Sequence, residues 1–155
     1  MSLRLDIQTR PGGSILLVDP RFPLTRRELA DVVETLLDAL GLSGAELSLS
    51  LLDDPGIALL NAKYLGCQGP TNILSFPEAD PARPGSLGAL FLSAETLVRE
   101  AFLYGQAPHR HLARLLAHGI LHLAGFEHGP EMDALTDLAV DAVRPQDSCP
   151  DVLRA

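Results

Sequence analysis

The chain has 155 residues, 46% of them hydrophobic, and its 12 Lys and Arg against 20 Asp and Glu give a formal net charge of −8. That length suits one domain able to bury roughly 70% of its unfolded surface, and two cysteines, Cys67 and Cys149, are too few and too far apart for a disulfide scaffold. The acidity, with only two Tyr, five Phe and no Trp, argues against broad electrostatic capture of nucleic acid.

The first 14 residues, MSLRLDIQTRPGGS, contain no apolar signal core, so a reduced, cytoplasmic setting is expected. Leu3, Leu5 and Ile7 alternate with polar residues, which predicts a strand to about Thr9. Pro11-Gly12-Gly13 marks a turn, and Ile15 to Val18 returns as a short strand. Thr25 and Glu28 have capping-box spacing, and Leu29, Val33, Leu36 and Leu40 follow at helical period until Gly41. Leu47 to Leu52 is strand-like, and Asp54-Pro55 is expected to cap a helix to about Tyr64. After a loop, Asn72 to Phe76 reads as a strand closed by Pro77, and Leu90-Phe91-Leu92 as another. Ser93 caps a helix to Tyr104, a second runs from Pro108 to Ala124, and a last one spans Glu131 to Val143. Apolar runs broken by Arg114, His118 and His122 fall short of the ~20 residues a membrane span needs. The pattern predicts an α+β fold: one domain over 1–155, a small mixed sheet packed with about five helices, and a frayed tail from about 144.

The chemistry concentrates at 118–128, HGILHLAGFEH. Four helical residues turn through about 400°, so His118 and His122 point the same way, one turn apart. Gly125 permits a left-handed turn that can swing His128 toward the same point. Three neutral imidazoles with a fourth position open describe a catalytic zinc site at the end of a helix. The spacing is that of the metzincin proteases, but Gly119 stands where those carry their general-base glutamate. His111 shares the helix face but lies about 10 Å down the axis; it and His109 are expected at the surface.

The sequence resembles the YbeY family of single-strand-specific, metal-dependent endoribonucleases. HGILHLAGFEH resembles the family's HGxLHLxGyDH, and Pro70 to Pro77, PTNILSFP, its PT(D/N)VLSFP strand. Asn61, Tyr64 and Gly88 fall in the same order, so that the resemblance covers about 45–142. It implies an α+β fold with a metal cleft, His118, His122 and His128 as metal ligands, and Asn72 and Ser75 on the strand lining the cleft, facing substrate or bracing the site. It further implies a role in small-subunit rRNA 3′-end maturation and ribosome quality control. The implied partners are single-stranded RNA, the ribosome, and a ribosomal protein or small GTPase; no membrane is implied.

Three positions depart from the family pattern. Leu65 replaces an arginine that follows the tyrosine, Ala89 replaces Asp in Gly-Asp-Ile, and Glu127 replaces the Asp before the last histidine. Leucine cannot bind phosphate bidentately as arginine does. The expected function is metal-dependent cleavage of single-stranded RNA, with one Zn2+ or another first-row ion activating water and Glu127 as the proton-handling carboxylate. Two rivals remain at this point: a ribosome-associated zinc-binding protein with weak or lost nuclease activity, and a metallopeptidase, which Gly119 disfavours.

Overall fold

The computed structural model describes residues 24–143, together with Phe22 and the backbone of 3–7 and 15–16. The expected Pro11–Gly13 turn, the strand ends beyond Ile7 and Leu16, Cys149 and the tail from 144 lie outside these residues. In chain order the described elements are β1 (Leu3–Ile7), β2 (Ile15–Leu16), β3 (Leu24–Thr25), α1 (Arg26–Ala39), β4 (Glu46–Leu52), α2 (Asp54–Leu65), β5 (Ile73–Pro77), β6 (Ser86–Ser93), α3 (Ala94–Leu103), α4 (Pro108–Leu123) and α5 (Pro130–Ala142). This is the expected α+β architecture.

The main sheet has the order β1-β4-β6-β5, with β1, β4 and β6 parallel and β5 antiparallel on the edge. The alternation in β4 and β6 sends Leu47, Leu49, Leu51, Leu90 and Leu92 to one face, into a single apolar core with α1 and α4. On the other face Leu52, Ile57 and Leu74 form a smaller cluster under α2, flanked by Phe76 and Phe91. Gly88, at φ +125°, marks the register shift in β6; a Cβ there would collide with the Phe76 carbonyl, so the β5–β6 pairing requires glycine.

Helix starts follow the sequence signals, with one offset. The Thr25 hydroxyl accepts from Glu28 N–H at 3.1 Å, closing α1 as expected. At α2 it is Asp53, not Asp54, that accepts from Gly56 N–H at 2.8 Å. Asp54 is diverted to α3: its carboxylate accepts from Ser93, Thr96 and Arg99 at 2.7, 2.6 and 3.0 Å. Glu95 accepts from Asp54 N–H in return at 2.9 Å, so the starts of α2 and α3 are tied together. None of the helices among the described residues is long and apolar enough to cross a membrane.

Candidate metal centre

Helix α4 is apolar on nearly every side because β5, β6, α1, α3 and α5 all pack on it. It packs closely against the sheet at Gly119. A Cβ there would sit 2.8 Å from Ile73 Cδ1, 2.9 Å from Leu90 Cδ2 and 3.3 Å from Ser75 Oγ. The Ser75 hydroxyl donates to the Gly119 carbonyl at 3.2 Å, seating the helix on β5. Any larger residue at 119 meets the sheet, so the position of a protease general base is filled by packing.

The helix ends at Gly125, whose φ of +96° reverses the chain. Gly125 N–H and Phe126 N–H close the last turn onto His122 and Leu121 carbonyls at 3.1 and 3.0 Å. This turn does two things. It aims the Phe126 carbonyl at His122, whose Nδ1–H donates to it at 3.2 Å. It also brings His128 back, so that the ring centroids of His118, His122 and His128 lie 4.6, 4.9 and 4.7 Å apart. One nitrogen from each ring falls within 4.8 Å of the others, an arrangement that can hold a metal ion.

The protonation pattern fits that use. With Nδ1 of His122 committed as a donor, its Nε2 carries the lone pair, and His118 Nε2 lies 3.1 Å from it. The His118 pKa is pushed below its ordinary 6.5, first by burial and then by the two neighbouring imidazoles, with Asp133 opposing. A neutral imidazole is the form that ligates. His118 and His122 are half-buried and His128 is exposed, so the cluster opens to solvent on one side.

The other sequence-derived residues separate. Glu127 is exposed in the turn beside His128. Ser75 faces α4 through the bond to Gly119. Asn72 Nδ2 donates to both oxygens of Glu100 at 3.2 and 3.4 Å, while its Oδ1 accepts from Ile73 N–H at 2.7 Å. Leu65 is the last residue of α2 and is 56% exposed. His109 is exposed, as expected. His111 is not: it is 5% exposed, with Nε2 donating to Glu100 at 3.1 Å. The correction has a long-range cause, because the carboxylate that draws His111 inward sits on α3.

A family model described as endoribonuclease YbeY matches residues 21–137. The chain belongs to this family. The endoribonuclease YbeY of Oleidesulfovibrio alaskensis is 48% identical over 137 residues, spanning 75% of this chain and 81% of that one. That of Nitratidesulfovibrio vulgaris is 43% identical over 151 residues, spanning 83% and 93%. The fold is shared with the solution structure of TM1509 from Thermotoga maritima, at a TM-score of 0.61 and 20% identity, covering 91% of this chain and 88% of that one. The YbeY match runs from before α1 into α5 and so contains the whole histidine cluster together with β5.

Proposed function

We propose that this protein is a metal-dependent, single-strand-specific endoribonuclease acting in rRNA maturation, at the small-subunit 3′ end, and in ribosome quality control. The reading rests on one observation above the others: in a member of the YbeY family, three imidazoles converge at the open end of α4, one of them fixed by a backbone carbonyl with its lone pair turned inward. His118, His122 and His128 hold one divalent ion. An all-imidazole donor set favours Zn2+, with another first-row ion as the alternative. A bound ion supplies Lewis acidity toward a phosphoryl oxygen and acidifies water near it.

The chain's own residues do the rest. Phe126 holds His122 in the ligating tautomer. Glu127, exposed beside His128, is the carboxylate that takes up and passes on a proton. Ser75 lies on β5, the edge strand a substrate crosses, and Asn72 immediately precedes it; the two brace the strand against α3 and α4 through Glu100 and Gly119. The packing at Gly119 speaks against a metallopeptidase, and family membership favours the nuclease over a purely ribosome-binding protein. The partners are single-stranded rRNA in the ribosome, with a ribosomal protein or small GTPase, in the cytoplasm.

Elemental analysis paired with a single-stranded RNA cleavage assay tests this. His118→Ala is expected to lose both metal and cleavage, and a fully active, metal-free variant overturns the proposal. Leu65→Arg is expected to raise cleavage, since a guanidinium there adds bidentate phosphate contact.

A further inference from the structure

We infer that Lys63, Tyr64 and Phe76 form a stacking platform for one unpaired RNA base, with the Lys63 ammonium serving the phosphate of the same nucleotide. This rests on the nuclease reading above and adds to it a residue-level basis for single-strand preference. Three observations carry it. First, Tyr64 is 56% exposed at the end of α2, and its ring is backed edge-on by Phe76 at 5.4 Å, which is backed in turn by Phe91 at 5.5 Å. A ring supported in this way keeps its orientation while leaving surface for another π-system.

Second, the Lys63 ammonium lies over the Tyr64 ring, 5.2 Å from its centroid, and has no carboxylate partner among the described residues. Arg83, Arg99, Arg110 and Arg114 are all engaged in ion pairs. In an acidic protein, a cation left unpaired and resting on an aromatic face is available for phosphate, and its four-carbon stem lets it leave the ring as a base arrives.

Third, the platform adjoins the histidine cluster across the edge strand. Phe76 follows Ser75 on β5, Ser75 bonds the Gly119 carbonyl at 3.2 Å, and Gly119 follows His118. A single strand crossing β5 meets the platform on one side and the imidazoles on the other. Beyond Phe76 the sheet face opens into a hollow of about 500 Å³ whose lining includes Ser48, Ala89, Glu46, Glu78 and Arg83, the guanidinium being paired with both carboxylates. A base inside a duplex has no free face to offer, so the platform selects unpaired RNA.

The test is fluorescence anisotropy of the purified protein with a labelled single-stranded RNA and with the same RNA in a duplex, alongside an oligonucleotide carrying 2-aminopurine. Tyr64→Ala is expected to weaken single-strand affinity roughly tenfold, to leave duplex affinity unchanged, and to abolish quenching of 2-aminopurine. Tyr64→Phe retains all three, which separates stacking from the hydroxyl. Lys63→Gln is expected to reduce the slope of log affinity against log salt by about 0.7. Unchanged single-strand affinity and quenching in Tyr64→Ala overturn the platform and leave exposed Tyr64 and Leu65 as a protein-contact patch. If the unaltered protein cleaves RNA while Tyr64→Ala binds it normally, only this inference fails. If the unaltered protein neither binds nor cleaves single strands, the nuclease reading fails with it.

Discussion

The two ends of α4 carry histidines on the same helix face, seven residues apart, with opposite fates. At the start, His111 is buried against a carboxylate, Glu100, which is itself held by Asn72. At the end, His118 and His122 meet another imidazole instead of an acid, at an opening to solvent. The His111 ring is held in the fold by its Nε2 bond to the carboxylate, while its Nδ1 is buried with no hydrogen-bond partner among the described residues. Three imidazoles facing one another, with the outer nitrogen of His122 committed to the Phe126 carbonyl, bring together nitrogens that a proton or a cation can bridge. The residue type is the same, and the side chain it meets decides whether it holds the fold or can hold an ion.

The sharpest way to break the comparison is to delete one histidine from each end. His118→Ala is expected to reduce metal affinity more than about 100-fold, since even outer residues around a metal site are worth 10–100-fold. It should leave the fold nearly intact because the ring lies at a half-open rim. His111→Ala should do the reverse. It strands Glu100 beside Asn72 in a largely buried site, at a cost of about 2 kcal/mol, while metal stoichiometry stays unchanged. Metal content and urea midpoints on both variants give a crossed pattern; if both variants lose metal equally, the two ends are one unit.

The midpoint of the helix supplies a smaller effect. Gly119→Ala adds helix propensity of about 1 kcal/mol but forces Ile73 Cδ1 and Leu90 Cδ2 aside from 2.8 and 2.9 Å, and overpacking costs about 1–3 kcal/mol. Both obstructing atoms are ends of side chains, which can partly yield, so a net loss of about 1 kcal/mol is expected. A thermal shift assay reads it, and a gain in stability shows that the helix can slide on the sheet.

The third contrast is in pH. Burial, then His122 and His128, hold the His118 pKa below 6.5. In metal-free protein the unfolded chain therefore takes up this proton first as the pH falls. The stability tied to neutral His118 is complete above 6.5 and is lost as pH drops through the lowered folded value. Urea midpoints of the metal-free protein should fall over that window, and His118→Ala should flatten the fall. A profile unchanged by that substitution shows that another group governs it.

What the sequence made legible follows from range. His118, His122 and Gly125 are related by helix period and a turn, both local, so their meeting could be anticipated; His128 arrives through the same turn. The strand alternations at Leu47–Leu52 and Ile73–Phe76 were equally local. Three features were not. The two-residue β3 is too short to show a period. Asp53 rather than Asp54 caps α2 because Ser93, Thr96 and Arg99, some forty residues on, claim Asp54. His111 is buried because Glu100 waits on another helix, and the spacing within α4 carries no trace of it.

The smallest effect tests whether α4 needs its outer side at all. Arg110 and Arg114 reach Asp141 and Asp137 on α5 at 3.1 and 3.0 Å. The acids are well exposed, so solvent screens both pairs, and exposed pairs contribute about 0.2–1 kcal/mol. Arg114 differs from Arg110 in one respect: its Nε is buried with no hydrogen-bond partner, so its stem lies in the groove between the helices. Replacing Asp137 with Asn removes the charge partner alone and should shift the urea midpoint barely, by about 0.3 kcal/mol. Arg114→Ala removes the stem as well and should cost about 1 kcal/mol. Equal effects would mean that the pairing, not the packed stem, fastens α5 to the helix that carries His118 and His122.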